Sequence, residues 1–435
     1  MTTRTLVWIT VSVMLTLGLV SCRTDTKTTP PEVTVVSAKN NPLLEQWETP
    51  FGIPPFDRIE EEHYLPAFTQ AMAVHQEEIT AIADNPADPT FANTLEALDT
   101  SGALLAQVSN VFFNLRSALT NETMMAIAQE VTPLLSQHED DIRLNKTLFA
   151  RINAVYDSRD PLTLTEEQGT LLEKNYQDFV RGGALLSAAD QIRFRAINER
   201  LSLLSVQFGD NILKENNRYE LVLADSAQLA GLPERVVSAA ADTAKQRSHE
   251  GQWIFTLHKP SLIPFLQYSD VRVLRQEMYE AYTSRGDNND ELDNKAILTE
   301  MASLRVERAQ LLGFKSHADY VLDINMAKTP AQVYTLLDQL WQPALAQAQT
   351  EVKALQALID AEGGNFQLQP WDWWYYTEKR RQAQFDLDEN ELRPYFKLEN
   401  VIAGVTTVAG KLYELTFTEL HDVPTYHEDV QVLEV

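Results

Sequence analysis

Apolar residues recur three and four positions apart along most of the chain after residue 55, which is the spacing of amphipathic helices. The clearest stripe consists of Ile192, Ile197, Leu201, Leu204, Phe208 and Ile212. The same spacing predicts helices over residues 58–84, 90–119, 122–142, 147–157, 166–181, 187–217, 233–246, 270–284 and 290–312. The chain is therefore predicted to be mainly α, with a large multi-helical body.

Helix boundaries are marked by side chains that cap the first turn. Thr165 with Gln168, and Ser187 with Asp190, stand where an N-cap and its partner three residues later belong. The segment 329–332, Thr-Pro-Ala-Gln, combines a Thr cap with proline at the first helical position. The apolar stripe that begins there continues to the glycine pair at 363–364, which predicts a helix of roughly 30 residues.

Strand-like runs are few and short. Residues 219–223 and 253–257 flank a predicted helix and predict a minor strand pair. Residues 412–417 and 430–435 are also β-like in composition. Prolines are concentrated before residue 90, so the first ordered segment is predicted to be an extended wrap over the surface.

Composition narrows the class of protein. Lysine and arginine number 36 and aspartate and glutamate 62, so the formal net charge of −26 would repel a phosphate backbone and argues against nucleic-acid binding. Apolar residues make up 44% of the chain, far more than a disordered chain carries. Glycine, at 15 of 435 residues, is scarce, which favours long helices, and a single cysteine excludes an internal disulfide.

The N-terminus carries the pattern of an export signal. Arg4 precedes an apolar run over residues 6–20, which is shorter than the roughly 20 residues that span a bilayer. The run ends in Leu-Val-Ser-Cys, which resembles the bacterial lipobox. We therefore expect residues 1–21 to be a lipoprotein signal peptide, Cys22 the lipid attachment point, and residues 22–40 a flexible tether. A plain secretory signal with a chance cysteine, or an uncleaved anchor, is the alternative.

This interpretation predicts an exported protein that is lipid-anchored to a bacterial membrane, on its periplasmic or cell-envelope face. The membrane is then one partner, reached through lipidated Cys22.

A search for catalytic motifs assigns no active site. A helical zinc-protease site needs two histidines four residues apart, with glutamate after the first. Three His-Glu pairs begin in this way, at 138–139, 249–250 and 427–428, but another residue occupies the place of each second histidine: Ile142, Trp253 and Gln431. Serine-hydrolase and phosphate-loop motifs are also absent from the sequence. No catalytic or metal-binding residue is therefore predicted.

One aromatic cluster stands out directly after Pro370. Five of the six residues at 371–376 are aromatic: Trp371, Trp373, Trp374, Tyr375 and Tyr376. Aromatic side chains all round a helical turn need burial on more than one side, or a channel to line. Core packing between two lobes and the lining of a peptide channel both fit this pattern.

Several ordered motifs resemble the thimet oligopeptidase family of zinc metallopeptidases, in particular its bacterial peptidyl-dipeptidases. They are NPLL at 41–44, PPFDRI at 54–59, HYLPAF at 63–68, PTFANT at 89–94, VFFNL at 111–115, LLGF at 311–314, MAKTP at 326–330, PWDW at 370–373, DLDE at 386–389 and LRPYF at 392–396. The resemblance runs from residue 41 to residue 435. Glu414 departs from it, because the family often has glycine there.

The resemblance implies a nearly all-helical, two-lobed, neurolysin-like architecture around a deep channel that admits short peptides. Residues 41–220 would form the N-terminal helical lobe, and residues 221–435 the beginning of the catalytic domain. The family's zinc site lies downstream of the position that matches Val435. The intact enzyme is thus expected to use zinc and to release C-terminal dipeptides, whereas this chain alone is expected to be inactive.

Two hypotheses remain open. In the first, the chain is the N-terminal part of a lipid-anchored zinc peptidyl-dipeptidase. In the second, it is a non-catalytic helical module that binds peptides or pairs with a separately encoded catalytic half.

Overall fold

The computed structural model describes residues 40–159, 162–385 and 389–435. The predicted signal peptide and Cys22, together with nearly all of the tether, lie outside the described residues. The structure is 69% helix and 3% strand, which confirms the prediction of a mainly α fold. The division into lobes near residue 220 stays a prediction.

Helices follow one another through the first half of the described chain. They are α1 (Tyr64–Ala83), α2 (Ala97–Thr100), α3 (Ala103–Ala118), α4 (Glu122–Arg143), α5 (Lys146–Asp157), α6 (Glu166–Arg181) and α7 (Ala188–Arg218). The second half contains α8 (Glu234–Gln246), α9 (Lys259–Tyr268), α10 (Arg272–Thr283), α11 (Lys295–Leu311), α12 (His317–Leu322), α13 (Pro330–Ala361), α14 (Trp373–Phe385), α15 (Glu389–Leu392) and α16 (Leu398–Tyr413).

The described residues also form two small antiparallel sheets. They pair β1 (Leu221–Leu223) with β2 (Trp253–Phe255) and β3 (Thr418–Leu420) with β4 (Val432–Glu434). The first pair confirms the predicted strands at 219–223 and 253–257, with Val222 opposite Ile254. The strand prediction at 412–417 is wrong, because α16 continues to Tyr413. Glu414 then ends that helix with a φ of 59°, a conformation in which glycine is strongly favoured.

The predicted caps are present where the sequence placed them. The Thr165 and Ser187 hydroxyls accept hydrogen bonds from the backbone N–H groups of residues 168 and 190, at 3.2 Å each. Thr329 caps α13 in the same way, with Pro330 as the first helical residue. The resulting helix is 32 residues long, close to the predicted length.

The predicted helix over residues 90–119 is divided in the structure. A π-helical turn at Phe91–Glu96 leads into α2, and the chain then bends at Gly102 before α3 begins. Gly102 has a φ of 75°, and a Cβ there would lie 2.8 Å from the His75 ring. The close approach of that ring is a tertiary feature that helical periodicity does not reveal.

The N-terminal half has two apolar cores. One contains Phe68 and Phe112 between α1, α3 and α4, and the other contains Leu148 and Phe179 between α5 and α6. The proline-rich segment 42–56 forms two 3-10 turns in place of a fully extended wrap. It is fastened to the first core by the fully buried Leu43, whose carbonyl accepts a hydrogen bond from Gln107 at 3.0 Å.

Helix α7 connects this half to the rest of the chain. Ile197, Leu201 and Leu204 pack against Met301 of α11, as the apolar stripe predicted. The stripe was wrong at its first position, because Ile192 is 74% exposed. Further along, β1, β2 and helices α8, α9 and α10 surround a third core that contains Phe255 and Phe265.

Candidate functional site

The candidate site is the aromatic cluster at residues 371–376, where α14 begins. Pro370 opens a 3-10 turn that leads directly into α14, and its preset φ suits the start of a helix. The backbone N–H of Gln369 donates a hydrogen bond to Asp372 Oδ2 at 3.1 Å. This local cap fixes the residue at which the helix starts, and therefore the direction in which each aromatic side chain points.

Asp372 is the electrostatic centre of the cluster. Its side chain is completely buried and accepts hydrogen bonds from two arginines of α10. Arg272 donates through Nε to Oδ1 at 3.0 Å and through Nη2 to Oδ2 at 2.8 Å, and Arg275 donates through Nη2 to Oδ1 at 2.9 Å. Charge-assisted pairs of this geometry are strong and directional. They fasten the start of α14 to α10.

Aromatic rings stack on the same guanidinium groups. The Arg272 Cζ lies 4.2 Å from the Phe366 ring centroid and 5.6 Å from that of Trp371. The Arg275 Cζ lies 4.0 Å from the centroid of Tyr375. Cation–π contacts of this kind gain strength where water is excluded, and Arg275 is only 2% exposed.

Tyr375 adds a second polar connection. Its hydroxyl donates a hydrogen bond to Asp270 Oδ1 at 2.7 Å. Burial, followed by this hydrogen bond to Asp270, raises the pKa of Tyr375 above its usual value. The side chain therefore acts as a neutral donor at physiological pH.

The structure separates the five predicted site residues into two environments. Tyr375 and Tyr376 are buried against Leu355 and Ile359 of α13, and Trp373 packs against the same cluster. Trp371 is half-buried, with its ring centroid 6.4 Å from that of Tyr279. Trp374 is 43% exposed. Lining of a channel by these residues stays a prediction.

Sequence reasoning did not identify the arginines that organise this cluster. Arg272 and Arg275 are separated from Asp372 by 100 and 97 residues. The only signal was local: two arginines three residues apart share one helix face, which suits a common acidic partner. The sequence did not indicate which of the 62 acidic residues that partner would be.

The histidines do not form a metal centre within the described ranges. No group of three His, Cys, Asp or Glu side chains close enough to hold a metal ion occurs among those residues. His138, from one of the incomplete motifs, lies between helices, with Nε2 at 3.0 Å from Nδ1 of His75. Burial lowers the pKa of both imidazoles below their usual value. The zinc that the family resemblance implies therefore has no fitting ligand set in this part of the chain.

Large apolar surfaces on α13 and α16 face solvent. We call them the uncovered faces, and their residues are Leu336, Leu337, Leu340, Trp341, Leu345 and Val352 of α13, with Leu398, Val401, Ile402, Val405, Val408 and Leu412 of α16. Each set repeats at helical spacing on one side of its helix. Only the C-terminal end of α13, at Leu355 and Ile359, is buried.

Among the described residues, no helix combines the length and the apolar character needed to cross a membrane.

Comparison with known proteins gives consistent matches. The chain is 38% identical over 396 residues to the dipeptidyl carboxypeptidase of Escherichia coli, and 33% identical over 399 residues to the oligopeptidase A of the same organism. It is 28% identical over 405 residues to an organellar oligopeptidase A of Arabidopsis thaliana. Each match covers 91% of this chain.

The matched part of each relative is smaller. The chain spans 58% of the two bacterial proteins and 50% of the plant protein. Residues 265–435, which include the aromatic cluster and both uncovered faces, match the family described as Peptidase family M3.

Proposed function

We propose that this chain is the N-terminal part of a zinc peptidase of the peptidyl-dipeptidase type, which releases dipeptides from the C-termini of short peptides. The zinc ligands and the catalytic base belong, in this proposal, to a further segment of the same fold. The chain on its own is then inactive, and its share of the function is to build the N-terminal lobe and to present the surface on which the remainder assembles.

The uncovered faces carry this proposal. A soluble protein rarely leaves two helices with contiguous apolar surfaces in water, because each Å² of apolar surface buried is worth roughly 25 cal/mol. Both helices lie within the segment that matches Peptidase family M3. The relatives whose names describe peptidases are also longer than the matched region. A covering segment from the same fold accounts for both observations.

The test begins with the DNA that follows codon 435. We expect it to encode, in frame or after a frameshift, a helix with the HExxH pattern. The reconstituted longer protein should bind zinc and release dipeptides from the C-terminus of a short peptide, and a chelator should abolish that release. The 435-residue chain, assayed in parallel, should do neither. Chelator-sensitive dipeptide release by the 435-residue chain itself would contradict the proposal.

Lipid anchoring is a separate part of the proposal, supported by the apolar run and by Cys22. The chain expressed in a bacterium should incorporate labelled fatty acid and sediment with membranes. Cys22→Ser should remove the label. Unchanged labelling of Cys22→Ser would show that the lipid is attached elsewhere or that the signal is of another kind.

A separately encoded catalytic half is the second candidate, and the uncovered faces support it equally. The exposed indole of Trp374 also suits a module that binds peptides without cleaving them. Purification of the chain from its native host separates these ideas. A stoichiometric partner that brings zinc and activity supports the split enzyme. Peptide binding by the isolated chain, measured as quenching of Trp fluorescence and lost in Trp374→Ala, supports the module.

A further inference from the structure

A polar cavity of about 640 Å³ lies between α4, α6, α7, α11 and α12. It is rich in hydrogen-bond donors, which come from arginines and serines on these helices: Arg143, Arg181, Arg305, Arg308, Ser136, Ser202 and Ser205. A concentration of guanidinium groups is unusual in a chain whose formal net charge is −26.

The four arginines differ in whether a carboxylate neutralises them. Arg143 pairs with Glu139 at 2.6 Å, and Arg181 pairs with Asp323 at 3.0 Å. Arg305, in contrast, makes no hydrogen bond or ion pair with any described residue.

Arg308 is only partly satisfied. Its one hydrogen bond within the described ranges runs from Nη1 to Asn198 Oδ1, at 3.3 Å. Its Nε is buried and has no partner there. Nη1 thus makes one long hydrogen bond and Nη2 makes none, which leaves this edge of the guanidinium able to donate to a ligand in the cavity.

A different face of α11 carries carboxylates that are paired with arginines of α7. There Glu300 and Glu307 each accept two hydrogen bonds, of 2.6–2.7 Å, from arginines of α7, Arg200 and Arg193. The cavity face of α11 has two cations one turn apart and no carboxylate paired with either. The lack of acidic partners is therefore local to the cavity.

Tyr320 brings the guanidinium groups close together. The Cζ of Arg181 lies 4.2 Å from its ring centroid, and that of Arg308 lies 5.7 Å away. The neighbouring His317 responds to the same charges. Burial lowers its pKa, and the positive charges of Arg305 and Arg308 lower it further. Two positive charges of α11 therefore lie close to His317.

Acidic groups line the other side of the cavity. Asp140 is buried, receives a hydrogen bond from Asn198 at 2.8 Å, and has a pKa raised to about 6, mainly by burial. Asp178 is exposed on α6. Neither forms an ion pair with Arg305 or Arg308 within the described residues. The cavity therefore has a separate cationic wall on α11.

We propose that this cavity is a binding site for a small anion that carries carboxylate or phosphate groups. Arg305 and the Nη1 and Nη2 edge of Arg308 hold the anion, because neither guanidinium is paired with a carboxylate of the described residues. Guanidinium groups suit both kinds of anion, because their planar fork matches two oxygens at once. The binding is non-covalent and independent of the proposed peptidase activity.

Isothermal titration calorimetry with the 435-residue chain tests this site. Inorganic phosphate and citrate are titrated separately at low ionic strength, with potassium chloride as the reference. We expect saturable heat from at least one of the two probes. Binding of phosphate indicates a phosphate site, and binding of citrate indicates a carboxylate site. Arg305→Gln with Arg308→Gln should weaken that binding roughly tenfold or more, because two charge-assisted contacts are lost.

The matched control is Arg193→Gln with Arg200→Gln, which changes the net charge equally on the other face of the α7–α11 pair. It should leave the affinity within about twofold. Arg305→Gln alone, at an exposed position, provides a second variant in case the double variant does not fold, and it should still weaken binding severalfold. Equal weakening in the control pair, or heat no different from that of chloride, would overturn the proposal.

Discussion

At the scale of single residues, Asp372 is the acidic group on which the candidate site depends most. It is fully buried and faces two guanidinium groups, one of which is 2% exposed. Asp372→Asn keeps the shape of the side chain but leaves the buried Arg275 without a counter-charge. We expect a loss of about 3 kcal/mol in the free energy of unfolding, because breaking one partner of a buried ion pair strands the other. Urea unfolding followed by tryptophan fluorescence measures it.

The control for Asp372→Asn is Glu291→Gln. Glu291 pairs with Arg218, and the two side chains are 74% and 47% exposed. Surface pairs contribute little, so this variant should unfold with the wild-type midpoint. If Asp372→Asn also unfolds at the wild-type midpoint, the ion pairs of Asp372 with Arg272 and Arg275 do not stabilise the fold as their geometry indicates.

The His75–His138 pair predicts a pH dependence of stability. Burial lowers the pKa of both imidazoles, and nearby carboxylates, Glu78 and Glu139, only partly offset this. The unfolded chain, with histidine near 6.5, therefore binds protons before the folded chain does. Their contribution to stability is complete above pH 6.5 and is lost as the pH falls through that value towards the lowered pKa values.

The experiment compares urea midpoints between pH 7.5 and pH 5 for wild type and for His75→Gln with His138→Gln. The wild type should lose more stability on acidification than the double variant. Asp140 has the opposite effect, because its raised pKa favours the folded state at lower pH, but it is present in both proteins and cancels in the comparison. If the urea midpoints of the two proteins fall in parallel with pH, the pH dependence does not come from His75 and His138. Replacement of the exposed His421 by glutamine should leave the profile unchanged.

At the scale of elements, the break between α2 and α3 depends on Gly102. Its φ of 75° is strained for other residues, and a Cβ would lie 2.8 Å from the His75 ring. Gly102→Ala should therefore destabilise the protein by about 1–3 kcal/mol.

Gly209, in the interior of α7, has open space around its Cβ position. Gly209→Ala should stabilise by about 0.5–1 kcal/mol. Thermal denaturation measures the midpoint temperature of both variants, which should fall for Gly102→Ala and rise for Gly209→Ala. Equal shifts of the two midpoints would contradict the argument that position 102 is strained for other residues.

Elements whose signals are local could be predicted from the sequence. The caps at Thr165, Ser187 and Thr329 are side chains that bind backbone groups three residues away, so the local sequence contains all the information. The strand pair β1–β2 was identified from its composition and spacing. The helix α9 was not predicted, because it contains Pro260 and Pro264 in its first turns, and prolines usually indicate a break.

The candidate site could be predicted only in part, because some of its contacts are local in the sequence and others join distant segments. Its aromatic residues are consecutive and therefore visible in the sequence. Which of them are buried depends on α13, which covers Tyr375 and Tyr376 but leaves Trp374 in solvent. The arginines that bind Asp372 come from α10, about 100 residues away. Pairings over such distances are decided by the packing of whole helices, which a single sequence does not display.

At the scale of the whole molecule, two helices, α13 and α16, expose apolar faces. The stripe along α13 predicts a helix with one apolar side, and in the structure the first two-thirds of that side expose leucines and a tryptophan. Helix α16 repeats the pattern with valines and isoleucine. A stripe at helical spacing indicates that a partner surface is needed, although it does not identify the partner.

The uncovered faces predict self-association of the 435-residue chain. Apolar surface of this extent should associate as protein concentration rises and should bind a hydrophobic dye. Leu337→Glu with Leu340→Glu places two charges on the α13 face, where the replaced side chains are more than half exposed, so folding stability should change little. Light scattering after size-exclusion chromatography, over a tenfold range of concentration, should show a shift from large species towards the monomer.

Leu185→Glu with Ile192→Glu is the matched control for this variant. Both residues are more exposed than the two leucines, yet they lie outside the uncovered faces. The control should associate as the wild type does, because the driving force comes from a contiguous surface and isolated exposed side chains contribute little. A segment that covers α13 and α16 should abolish association of the wild type and of the control equally. A wild-type chain that stays monomeric at every concentration and binds no dye would show that these faces are already covered in solution.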